Sequence, residues 1–120
     1  MSFTDITIHI YGDVVVLDPS GRMCLCADEM RPLMTNLLER GFLKFLLNLH
    51  RVHYIDRAGM AGIVQALTMV VGQGGTLKLC NVDQRIRDLL DVAKLTPLLE
   101  VFDTEEVGLR SFEGNVSTPL

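Results

Sequence analysis

The spacing of the apolar residues changes repeatedly along the chain, between every second position and every third or fourth. Ile6, Ile8 and Ile10 alternate with Thr7, His9 and Tyr11, the period of a strand with one buried face. Gly12-Asp13 supplies turn chemistry, and Val14-Val15-Val16-Leu17 reads as a second, β-branched strand, so the two form a hairpin that Asp18-Pro19-Ser20-Gly21 ends. Met30, Leu33, Met34, Leu37 and Leu38 then fall at helical spacing. Asp28 is placed to cap that helix, Pro32 fits its first turn and Gly41 stops it. A strand and a helix each need a second layer against which to bury their apolar side. Alternation of this kind therefore predicts helices packed on a mainly parallel sheet.

The pattern continues to the end of the chain. Phe42 to Leu49 is nearly all apolar and suits a central strand covered on both faces. His50 to Ile55 reads as a connecting loop. Asp56 is placed as the N-cap of a helix from Arg57 to about Val71, rich in Ala and Gly and so able to lie close on a sheet. Gly72-Gln73-Gly74-Gly75 ends it and Thr76 to Cys80 is a strand. Asp83 caps the next helix, with Ile86, Leu89, Leu90 and Ala93 on its apolar face. Leu98 to Phe102 is a last short strand, and Asp103 with Glu106 resembles a capping box opening a final helix that fades by Phe112. The expected order is β-β-α-β-α-β-α-β-α: an α/β fold with a mixed sheet of about five strands. Residues 1–112 form one domain and 113–120 a flexible tail.

Composition narrows the function. At 120 residues and 48% hydrophobic, the chain can bury a core without disulfides or metal. A net charge of −4 and the lack of a Lys/Arg stripe argue against nucleic acid. Cys24, Cys26 and Cys80 are an odd number with no zinc spacing, so they read as buried thiols in a reducing cytoplasm. No apolar run approaches the roughly 20 residues of a membrane span, and the N-terminus lacks the pattern of a signal peptide. Gly72, Gly74 and Gly75 follow a helix and precede a strand, the reverse of a phosphate-binding loop. His50 and His53 lack a third ligand, and no nucleophile, base and orienter converge. Neither catalysis, a cofactor nor a metal is expected.

The place that stands out is Tyr54-Ile55-Asp56-Arg57-Ala58-Gly59-Met60, where a loop meets the opening of a buried helix. The backbone N–H groups there are free donors with partial positive charge, and Asp56 can satisfy one or two of them. Ile55 to Met60 resembles the "IDSSGL" signature of bacterial STAS domains, the anti-sigma-factor antagonists. Lys44 to Leu49 is similar to that family's central strand and Gly74-Gly75-Thr76-Leu77-Lys78-Leu79 to its "GGxLxL" strand. Asn81 to Leu90 resembles the helix that follows, and Leu95 to Phe102 the family's ending.

The resemblance implies a STAS-type fold and a binding protein rather than an enzyme. Its expected partner is an anti-sigma factor of the serine protein kinase type, which in the family phosphorylates a Ser directly before the signature glycine and so breaks the complex. Here that position is Ala58, preceded by Arg57, and neither side chain has a hydroxyl. The expectation is a cytoplasmic anti-sigma-factor antagonist, a monomer or weak homodimer, without the usual phospho-switch. Its partner surface would comprise His53, Asp56, Arg57, Ala58, Gly59 and Met60, with Arg85 and Arg87 nearby. The alternative is a STAS subunit of another complex, such as a lipid-transport ATPase.

Overall fold

A computed structural model describes residues 5–23 and 27–113. The elements are β1 (Asp5–Tyr11), β2 (Val14–Met23), α1 (Ala27–Glu39), β3 (Lys44–Asn48), β4 (Arg51–Ile55), α2 (Arg57–Gly72), β5 (Thr76–Cys80), α3 (Gln84–Val92), a 3-10 turn (Thr96–Leu98), β6 (Val101–Phe102) and α4 (Glu105–Glu113). β1 and β2 pair antiparallel, whereas β2–β3, β3–β5 and β5–β6 pair parallel. The expected mixed sheet with helices packed on it is therefore present, with six strands in the order β1-β2-β3-β5-β6 and β4 beside β2.

The sixth strand corrects the reading of His50 to Ile55 as a loop. Asp18-Pro19-Ser20-Gly21 does not end β2. The strand continues to Met23, and after pairing with β3 over Val14–Leu17 it pairs with β4 over Ser20–Met23. β3 and β4 thus follow one path along β2, interrupted at Leu49-His50. The Leu49 amide turns aside to donate to the Cys80 carbonyl at 3.1 Å. Arg51, His53 and Tyr54 give β4 a polar content that hides its strand character, since only Val52 and Ile55 of its described side chains are buried.

The sheet separates two unequal cores. The larger joins Val15, Leu17, Phe45, Leu47 and Leu79 to Met30 and Met34 of α1, Ile63 and Val70 of α2, and Ile86 and Leu90 of α3. The smaller puts Val14, Val16, Leu46 and Cys80 under Phe112 of α4. Lys78, on a central strand, points into this second layer. Its ammonium lies 4.3 Å from the centre of the Phe112 ring, donates to Ser111 Oγ at 2.8 Å and is 3.3 Å from Glu100. Burial of that charge is tolerable because it is paired and hydrogen-bonded.

Four local expectations need correction. Ile8 and Ile10 do not form a buried face: they are 39% and 53% exposed, because α1 and α2 pack over the sheet's centre and leave the edge strand largely uncovered. Helix α1 starts at Ala27, so Asp28 lies inside it and Pro32 falls in its second turn. In α3 only Ile86 and Leu90 are buried, while Leu89 and Ala93 face outward. Helix α4 is capped by Thr104, whose Oγ1 accepts from the Val107 amide at 3.2 Å, and Asp103 instead lies 3.6 Å from Arg87. Cys24, Cys26 and residues 114–120 of the expected tail lie outside the described residues. Cys80 is a buried free thiol.

The α2–β5 connection leaves no room for a side chain at Gly75. The Gly75 amide donates to Val70 O and the Thr76 amide to Leu43 O, both at 2.8 Å. A Cβ on Gly75 would collide with the Leu43 carbonyl oxygen and crowd Val70 Cγ1. Gly75→Ala should therefore cost about 2 kcal/mol, read as a lower urea midpoint at unchanged slope. An unaltered midpoint would show that the junction can yield.

Candidate functional site

The signature segment forms the end of β4 and the mouth of α2. Asp56 has an extended backbone and its Oδ1 accepts from the Gly59 amide at 2.8 Å, while its carbonyl accepts from the Met60 amide at 2.9 Å. The sequence-assigned cap is thus in place, and it satisfies donors that the helix leaves free at this end. Arg57 and Ala58, the first two helical residues, are exposed. Gly59 is buried and Met60 is half-buried against the larger core. The Arg57 side chain has neither a hydrogen bond nor an ion pair among the described residues. His53 is a β4 residue rather than a loop residue.

Beside this mouth lies α3. Its N-cap Asp83 accepts from the Ile86 amide at 2.9 Å. Arg85 and Arg87, two positions apart, leave the helix in different directions. Arg85 is exposed. Arg87 is engaged within the fold, donating to Val82 O at 3.3 Å and lying 3.6 Å from Asp103. A groove of about 460 Å³ runs between the two helices, lined by Tyr54, Asp56, Arg57, Met60, Leu89 and Val92 among others. The structure therefore joins Asp56, Arg57 and Met60 to Leu89 and Val92. Sequence reasoning missed those two, whereas Tyr54 belongs to the segment it singled out. Val92 is 81% exposed, and an apolar residue off the buried stripe of α3 was the available signal.

A second polar feature lies where β3 and β4 part. Asn48, 2% exposed, gives its Nδ2 to Glu105 Oε1 at 2.8 Å. Its Oδ1 accepts from the His50 amide at 3.0 Å, His50 Nδ1 at 2.9 Å and Asn81 Nδ2 at 3.0 Å. Because Glu105 can only accept, the amide orientation is fixed, and because the Asn48 oxygen can only accept, His50 carries its proton on Nδ1. Asp18 stands 3.8 Å from that nitrogen and accepts from Arg51 Nε at 3.3 Å. Neighbouring Cys80 is pushed up to about 12, first by burial and then by the negative charges of Glu105 and Asp18. A thiol held protonated in this way is not a nucleophile. Among the described residues no group of three or more His, Cys, Asp or Glu could hold a metal ion, and no helix is long and apolar enough to cross a membrane.

The STAS domain family model matches residues 5–108. The chain is a member of the STAS family. An anti-sigma-B factor antagonist of Bacillus subtilis (strain 168) is 29% identical over 106 residues, covering 88% of this chain and 89% of the relative. The phosphorylated Bacillus cell fate determinant SpoIIAA superposes with a TM-score of 0.73 at 15% identity, over 90% of this chain and 99% of its own. A sulfate transporter family protein of Wolinella succinogenes gives a TM-score of 0.78 at 23% identity, over 92% and 93% of the two chains. The two structural likenesses establish the shared STAS fold, and the resemblance drawn from Ile55 to Met60 holds.

Two measurements test this geometry. Asn48→Ala should cost about 3 kcal/mol, because it strands polar partners in the interior, whereas Asp56→Ala should cost about 1 kcal/mol for a lost cap. Equal losses in urea unfolding would contradict the central place given to Asn48. In a chain with Cys24→Ser and Cys26→Ser, Cys80 should resist iodoacetamide near pH ~8 until denaturant is added. Rapid labelling of the native chain would contradict its burial and raised pKa.

Proposed function

We propose that this STAS domain is an anti-sigma-factor antagonist that binds an anti-sigma factor of the serine-kinase type in the cytoplasm, and that it does so without a phosphoryl switch at the usual position. The observation that carries the reading is the mouth of α2: an exposed, well-capped helix opening on a STAS scaffold, with Arg57 and Ala58 in its first turn. The relative named as an anti-sigma-B factor antagonist supports the class of partner. The docking residues in this reading are His53, Asp56, Arg57, Ala58, Gly59, Met60 and Arg85, with Arg87 alongside.

The physical logic of the switch is electrostatic. A phosphate adds roughly −1.5 to −2 charges and three acceptor oxygens to a surface that must be desolvated on docking. Ala58 has no atom to carry it. Arg57 places a cation at the same spot, so the docking surface keeps one charge state. The chain acts by occupying its partner and catalyses nothing itself.

Tagged protein should recover a kinase-type anti-sigma factor from cells of the source organism. With labelled ATP, that kinase should leave the wild-type chain unlabelled and label Ala58→Ser. Phosphorylated Ala58→Ser should then bind at least about tenfold more weakly than wild type. Label on the wild-type chain would overturn the missing switch. Recovery of a transporter ATPase in place of the kinase would overturn the choice of partner and favour a subunit of a transport complex.

A further inference from the structure

We propose that the groove between the mouth of α2 and the outer side of α3 receives an acidic, apolar segment of the partner protein: one apolar side chain on the groove floor and a carboxylate between Arg57 and Arg85. The inference rests on the reading above and names the chemistry that the partner must present.

The floor is apolar and open. Tyr54, Leu89 and Val92 are exposed, Val92 at 81%, and half-buried Met60 lies between them and the larger core. Aliphatic surface gathered in a concavity with a charged rim is the arrangement of a binding site, whereas single exposed apolar residues carry no such meaning.

The rim selects the sign of the occupant. On α3, Arg85, Leu89 and Val92 fall at i, i+4 and i+7 and share one side. Neither Asp88 nor Asp91 lines the groove: Asp88 adjoins Arg85 and Val92 along the helix, and Asp91 falls further round, away from Leu89. Both are engaged within the fold, Asp88 accepting from Gln84 at 2.9 Å and Asp91 from Thr96. Asp56 is committed to the Gly59 amide. Neither Arg57 nor Arg85 is paired with any of these carboxylates, although Lys44, Arg51, Lys78, Arg87 and Arg110 all have acidic partners. Arg57 lines the groove, and exposed Arg85 stands one turn before Leu89 on the same side of α3; two guanidinium groups without internal partners beside an apolar floor suit a bidentate carboxylate next to an apolar anchor. A basic segment would be repelled. A second copy of this chain, at net charge −4, would have to gather its own acids opposite these arginines.

The test uses the purified anti-sigma factor that wild-type protein binds. Arg57→Glu, Arg85→Glu and Val92→Asp change exposed side chains, and circular dichroism should show each folded. Each should raise the Kd by about tenfold or more. Arg40→Glu, the same charge change at an exposed arginine that is likewise unpaired, should leave it within about twofold. Reversing one acidic residue of the partner to Arg should restore binding to Arg57→Glu and not to Val92→Asp. If wild type binds the factor and both arginine variants match it, the groove chemistry is wrong while the proposed function stands. If wild type binds no anti-sigma factor, both are overturned. A homodimer in sedimentation velocity that Val92→Asp abolishes would assign the groove to a second copy and overturn the inference.

Discussion

The amide of Asn48 is where the separate parts of this fold are held to one another. It lies at the point where the path along β2 breaks, so that β3 can pair with β5 while β4 pairs only with the far half of β2. A break in a buried strand exposes backbone and side-chain polar groups that the interior cannot solvate. One side chain resolves this by accepting from His50 twice and from Asn81 once, and by donating to Glu105 at the start of α4. Asn81 takes part from a left-handed conformation (φ 56°), which Asn tolerates better than most residues. The consequence reaches the candidate site. The direction in which β4 leaves the break fixes where Ile55 ends and where Asp56 can open α2.

The sequence made the regular parts of the fold legible where periodicity and end signals agreed. Thr76 to Cys80 was readable as a strand because its β-branched and apolar content is bounded by glycines before it and Asn81-Val82-Asp83 after it. Asp56 and Asp83 were readable as caps because each stands directly ahead of a helical stripe, and both side chains accept from the amide three residues on. The ends of α1 and α4 shifted by a residue or two at their caps, but the larger failures share one cause: partners distant in sequence decided the outcome. β4 is a strand because β2 runs ten residues and offers a second pairing segment, which nothing between His50 and Ile55 announces. Ile8 and Ile10 have the right period for burial, but they lie on an edge strand beyond the helices. Periodicity tells which side chains share a face and leaves open whether anything covers it.

The same limit applied to the site. The resemblance located the mouth of α2, because that segment is contiguous in sequence. The opposing wall belongs to α3, some thirty residues later, and its Leu89 had been assigned to the buried stripe by spacing alone. Helical geometry distributes Ile86 and Leu90 toward the core and Arg85, Leu89 and Val92 to an adjoining side, so a nine-residue helix buries only part of its apolar content. What remains exposed is a wall beside the signature, visible only once the fold sets α3 next to the mouth of α2.

The first turn of α2 shows how little chemistry must change to alter such a site. A helix N-terminus disfavours a cation by some tenths of a kcal/mol, so Arg57 is not there to stabilise the helix. Asp56 already satisfies the Gly59 amide, and the scaffold beneath, buried Gly59 and Ile63 in the core, is independent of what Arg57 and Ala58 carry outward. These two positions are therefore free of any folding duty, and their side chains determine only what the surface presents. In the proposed reading, replacing a hydroxyl by a methyl group removes the acceptor, and a neighbouring guanidinium fixes the sign of the charge. Regulation of the complex then falls to the supply of the two proteins and the state of the partner, because the STAS chain has a single docking state to offer.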